Sequence, residues 1–151
     1  MPALAAVRPF GLTASPRGEL VVGDAGSFSA QADSVVSFIR STDGTRLLHL
    51  PTDLLDVVAL RYSRALIPQG QPQLYALDLA WAEPSRGGLL RLDATLVDGR
   101  PAVASVRLAD LMRPTGMTFD SDGQLYVTLI GTTQPGGPTA TGQLLRFDSG
   151  F

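Results

Sequence analysis

An all-β fold made of three repeated four-stranded units is what this sequence predicts. Three observations carry the prediction. The stretches RPFGLTASPRGELVVGDAG at 8–26 and RPTGMTFDSDGQLYVTLIG at 113–131 align without gaps and share eight of nineteen residues. Short apolar runs rich in β-branched, aliphatic and aromatic residues recur between turn signals, the pattern of strands rather than helices. No segment holds a long 3.6-residue apolar period. TDLLDVV at 52–58 has the makings of one helical turn, but VVALRYS at 57–63 continues as strand.

The elements follow in order. The first unit, 8–50, contains FGLTAS, GELVVGDAG, SVVSFIR and TRLLHL. The second, 54–108, contains LLDVVALRYS, QLYALDLAW, GGLLRLD and AVASVRL. It lacks the Pro and Gly of its neighbours and carries a longer turn, SRALIPQGQP. The third, 113–151, contains TGMTFD, GQLYVTLIG and GQLLRFD and stops before a fourth element. Leu20, Leu74 and Leu125 align the second strands, and Val35, Leu89 and Leu144 align the third strands. Pro16-Arg17-Gly18, Asp43-Gly44, Asp98-Gly99 and Asp122-Gly123 mark turns, because glycine tolerates the positive φ that tight hairpins require. Segments such as ELVVG and LLRLD are apolar on both faces, which suits sheets stacked between neighbours. Four antiparallel strands repeating at roughly 50 residues are the mark of a β-propeller. The expected fold class is therefore all-β and propeller-like, with three four-stranded antiparallel blades, the last lacking its outer strand.

Composition narrows the functions. Of 151 residues, 44% are hydrophobic and 17% charged, a globular balance. The net charge of −2 offers no basic footprint, so neither nucleic acid nor an anionic membrane is an expected partner. All 12 basic residues are Arg, and Lys and Asn are absent. Cysteine is absent as well, which removes disulfides, thiolate metal sites and cysteine nucleophiles. MPALAAVRPFG lacks the basic region and the apolar length of a signal peptide. No run reaches the roughly 18 apolar residues of a spanning helix.

The pattern P-x-G-[LM]-x-x-x-x-x-G-x-L-x-V resembles the first two strands of NHL-type and SMP-30-like six-bladed propellers. LYALDLAW, GGLLRLD and RPTGMTFDSDGQLYVTLIGT resemble bacterial ScyD/ScyE-like propeller proteins. The resemblance spans nearly the whole chain and implies a fold more than an activity. It implies export for some relatives. SMP-30-like lactonases hold their metal with Glu, Asn and Asp side chains. Here there is no Asn, and the two Glu residues, Glu19 and Glu83, fall in a turn and a Pro-bounded loop. Lactonase activity is therefore not carried over with the fold.

In propellers of this class ligands sit over the central channel, near the ends of the inner strands. Asp24 and Asp78 occupy equivalent positions there, four residues beyond Leu20 and Leu74, and Leu129 takes that place in the third copy. Two carboxylates facing one axis can bind a cation such as Ca²⁺ or orient a polar ligand. Equally, Asp ahead of a turn hydrogen-bonds nearby backbone amides. Trp81, the only tryptophan, either stacks on a flat ligand or plugs a gap between blades. The repeated Arg8 and Arg113 either clamp an anion or pair with a loop carboxylate such as Asp110. His49 lies on a predicted outermost strand, away from any channel. The loops SRGG and TTQPGGPTATG match no phosphate-binding motif and read as hairpin loops.

Three blades do not make a ring, since propellers typically close with four to eight. Two expectations follow. The chain is a piece of a longer propeller, or it is a half-propeller that dimerises into a six-bladed ring. The expected function is a non-catalytic binding or scaffold module for a protein or small ligand. The alternative is a portion of a lactonase-like or sugar-dehydrogenase-like propeller enzyme.

Overall fold

The computed structural model describes residues 8–63, 71–130 and 142–148. The chain builds three separate antiparallel sheets. The first contains β1 (Pro9–Ala14), β2 (Leu20–Asp24), β3 (Val35–Ile39) and β4 (Arg46–Pro51), in that spatial order. The second contains β5 (Val57–Tyr62), β6 (Leu74–Asp78), β7 (Gly88–Val97) and β8 (Arg100–Asp110). The third contains β9 (Pro114–Phe119), β10 (Leu125–Leu129) and β11 (Gln143–Phe147). The fold is all-β and propeller-like: two blades of four strands and a third of three among the described residues. The only helical element there is a 3-10 turn at Pro84–Arg86. LLD at 54–56 is loop with a bend at Leu55, so the single helical turn allowed by TDLLDVV does not form.

The turn signals act as expected. Gly18, Gly44, Gly99 and Gly123 all have positive φ, each closing a hairpin where the sequence places it. Asp98 shares that conformation at φ 50, so the two-residue loop between Val97 and Arg100 has positive φ throughout, the geometry that matches strand twist.

The blades stack face to face. One apolar cluster lies between the first two sheets and includes Val21, Val36, Leu60, Leu74, Ala76, Leu90 and Leu92. A second lies between the second and third sheets and includes Tyr75, Leu77, Leu89, Met117, Leu125 and Val127. Strand alternation explains the division, because successive side chains on β6 point to opposite faces. Leu74 and Ala76 serve one cluster, Tyr75 and Leu77 the other. Every residue of β6 is consequently buried. The innermost strands lie side by side, β1 against β5 and β5 against β9. Gly11 of β1 permits the first of these approaches, since a Cβ there would lie 3.3 Å from the Ala59 backbone. Gly23 of β2 makes room for Val57, whose Cγ1 a Cβ would approach to 2.6 Å.

One register expectation is corrected. Leu144 pairs with Thr128 and Leu89 with Leu77, but the residue in the corresponding place is Val36, paired with Gly23, not Val35. A one-residue slip moves a side chain to the other face of a sheet. Val36 is fully buried between blades, whereas Val35 is only partly covered.

Candidate functional site

Each innermost strand begins with the same irregularity. The ladders skip Phe10, Val58 and Thr115, one extra residue at the same place in β1, β5 and β9. Bulges of this kind re-aim the side chains beside them. The residues just ahead of these strands are Arg8, Asp56 and Arg113. Their carbonyls accept equivalent backbone bonds from Ala25 (3.0 Å), Leu79 (2.9 Å) and Ile130 (3.0 Å). One structural position is thus occupied by Arg, Asp and Arg in successive blades. The β2–β3 and β6–β7 connections bring Phe28 and Trp81 to the same rim.

Asp78 organises the centre of the rim. It is 2% exposed, and its carboxylate accepts the amides of Leu55 (3.0 Å), Asp56 (2.8 Å) and Ala80 (3.1 Å). Ser34 adds a second fastening across the blades: its hydroxyl donates to the Leu55 carbonyl at 2.8 Å and accepts from the Val57 amide at 3.0 Å. The start of β5 is therefore held by side chains of both β6 and the loop before β3. Asp24 occupies the same place in the first blade and is partly exposed. Its Oδ1 accepts the amides of Arg8 at 3.0 Å and Gly26 at 3.2 Å.

Asp56 is the residue that sequence reading missed. It is fully buried. Its Oδ2 accepts the Trp81 amide at 2.7 Å, and its Oδ1 has no hydrogen-bond partner among the described residues. Burial raises its pKa above the ordinary 3.8; the Trp81 amide opposes this, while the charges of Asp78 and Asp33 add to it. Asp56 lies in the middle copy, where the flanking Pro and Gly that flag Arg8 and Arg113 are gone. The usable signal was its position directly ahead of VVALRY.

The two arginines stack rather than pair. The Arg113 guanidinium lies 5.2 Å from the Trp81 ring centroid, and that of Arg8 lies 5.5 Å from the Phe28 centroid. Arg8 also donates to the Gly26 carbonyl at 3.2 Å. Asp110 forms its ion pair with Arg107 at 3.3 Å, so the expected pairing of Asp110 with Arg113 is replaced by a cation–π contact across two blades. Trp81 is 50% exposed, and its contact with blade three is the Arg113 guanidinium over its ring.

His49 is exposed on β4, where its Nδ1 lies 3.2 Å from the Ser37 hydroxyl. Glu19 is hydrogen-bonded to Ser15 within a turn, and Glu83 pairs with Arg86 at 3.2 Å. SRGG closes the β6–β7 hairpin. Most of SRALIPQGQP and of TTQPGGPTATG lies outside the described residues. Among the described residues no three His, Cys, Asp or Glu side chains converge to hold a metal ion. Comparison with family models, with curated proteins and with solved structures gives no match.

Proposed function

We propose that the chain is a non-catalytic binding module of the NHL and SMP-30-like propeller type, taking a flat, anionic small molecule or side chain at the rim. The observation that supports this is the Trp81–Arg113 pair. The half-exposed indole carries a guanidinium over its ring, 5.2 Å from the centroid, so that apolar surface and positive charge adjoin at the rim. The bond from the Trp81 amide to Asp56 fixes the backbone beneath the ring. Asp78 spends its carboxylate on three amides and so acts as scaffold rather than as a ligand to a cation.

Trp81 is the only tryptophan, so fluorescence excited selectively at the indole, beyond tyrosine absorption, reports this site alone. A titration with uronic acids, aromatic carboxylates and their neutral counterparts should give saturable changes for the anionic members. Those changes should vanish in Arg113→Gln. An emission spectrum unmoved by every compound would reject the reading.

A second reading draws on Asp56 and makes the chain part of a lactonase-like or sugar-dehydrogenase-like propeller enzyme. A buried carboxyl with a raised pKa is suited to general acid work. Turnover of a lactone or sugar panel that is lost in Asp56→Asn would favour it over the binding module.

A further inference from the structure

We propose that two copies of this chain assemble head to tail, the open face of the third blade seating on the open face of the first. Both internal seams are built the same way: one face of a blade meets the opposite face of the next. At the second seam, Tyr75 and Leu89 of blade two meet Leu125, Val127 and Phe147 of blade three. Register extends the comparison to the two outer faces, on which no further blade packs among the described residues.

The open face of blade three repeats the seam-forming face of blade two. Tyr126 stands where Tyr75 stands, Leu144 where Leu89 stands, and Arg146 where Arg91 stands. Even the local ion pair recurs, Arg91–Asp93 at 2.8 Å and Arg146–Asp148 at 3.5 Å. The open face of blade one repeats the receiving faces of blades two and three. Leu20 and Val22 occupy the places of Leu74 and Ala76, and of Leu125 and Val127; Ile39, in the place of Leu92 and Phe147, is already buried within the chain. Leu12 extends this face and is 56% exposed; Leu144 on the opposite face is 66% exposed.

Each open face therefore carries the side chains that its counterpart buries inside the chain, and a second copy supplies both. In a closed dimer the arrangement is two-fold symmetric: blade three of each copy meets blade one of the other, and no open face is left to extend the assembly. Two copies give six blades, within the range in which propellers close, and a third copy would exceed it. The dimer would join two rims around one axis. This assembly rests on the seams and stands whether or not the rim binds a ligand.

The cysteine-free sequence permits a direct test. Leu20→Cys and Leu144→Cys are each made alone, at exposed positions that the fold tolerates. Each is treated with a short bismaleimide, separately and after mixing, beside light scattering of the unmodified chain over a range of concentrations. The expected result is a dimer mass and efficient cross-linking only in the mixture. Cross-linking of Leu20→Cys with itself would overturn the head-to-tail arrangement in favour of two first blades meeting. A monomer at all concentrations with no cross-link in the mixture would overturn self-assembly altogether.

Discussion

The Asp78 carboxylate accepts the amide of Asp56 at 2.8 Å, so one acid at the end of β6 fixes the backbone of another at the start of β5. The same carboxylate holds Leu55 and Ala80. Its removal strands three buried donors at once. Bonds to a charged acceptor contribute about 1.5–3 kcal/mol, and orphaned buried donors cost about as much. Asp78→Ala should therefore destabilise the chain by about 3 kcal/mol or more. Asp24→Ala, at the equivalent but partly exposed position, should cost only about 1 kcal/mol. Urea titration of both variants checks the order. Equal losses would show that the two positions carry the same load.

Asp56 makes stability depend on pH in a defined direction. Its folded-state pKa lies above the ordinary 3.8 because burial disfavours the charge. Between those two values the folded state holds the proton that the unfolded state has released. Stability from this group is complete below 3.8 and declines as pH rises through the raised value. Asp33 and Asp43, whose pKa values are lowered chiefly by hydrogen bonds with Ser27 and Thr45, act in the opposite sense. Comparison with Asp56→Asn isolates the Asp56 contribution. The advantage of the Asn variant should grow as pH rises from acid toward neutral. A difference constant with pH would show that Asp56 is not strained by its charge.

Ala80 has φ 47, a left-handed conformation in which a Cβ costs about 1–2 kcal/mol. The first blade puts Gly26, φ 61, two residues after its own Asp. Ala80→Gly should be neutral or stabilising by up to about 1 kcal/mol once glycine's greater unfolded-state freedom is subtracted. Gly26→Ala should destabilise, since the new methyl would run into the Asp33 carboxylate and approach its carbonyl carbon to 3.1 Å. The thermal melt should fall for Gly26→Ala and hold or rise for Ala80→Gly, and a drop for Ala80→Gly would contradict the strain.

Leu89 and Leu144 hold the same place in successive blades, fully buried in one and 66% exposed in the other. Leu89→Ala should cost about 2–5 kcal/mol. Leu144→Ala should change the chain's own stability by no more than about 0.5 kcal/mol. Denaturation at low protein concentration measures both without the contribution of any association.

Much of this fold was legible. The Asp-Gly turns fixed the hairpins because glycine relieves a positive φ whatever surrounds it. The doubly apolar LLRLD of β7 announced a strand packed on both faces, Leu89 toward one blade and Leu90 and Leu92 toward the other. What reading missed was decided between blades. Val36 rather than Val35 faces the next sheet because ladder pairing sets the register, and local pattern does not. Arg113 stacks on Trp81 instead of pairing with Asp110 because a neighbouring blade brings the indole within reach. Asp56 went unnoticed as the counterpart of Arg8 and Arg113 because the middle copy shares neither their Pro nor their charge. Asp24 and Asp78 were found by their spacing, and the amides of Gly26 and Ala80 follow from the turns they close, whereas those of Arg8, Leu55 and Asp56 are brought to them by the innermost strands.

Blade two has a neighbour on each side, while blades one and three each have one within the chain. Stability in such an array is a sum over adjacent pairs. A single unassociated chain should therefore loosen from its two outer sheets inward, and amides of β6 should exchange with solvent only when the whole array opens. A lesion in blade two would uncouple the terminal blades from each other, whereas a lesion in either end would leave a two-blade remnant intact. The middle repeat, the most divergent of the three in sequence, is the one on which cooperative folding depends.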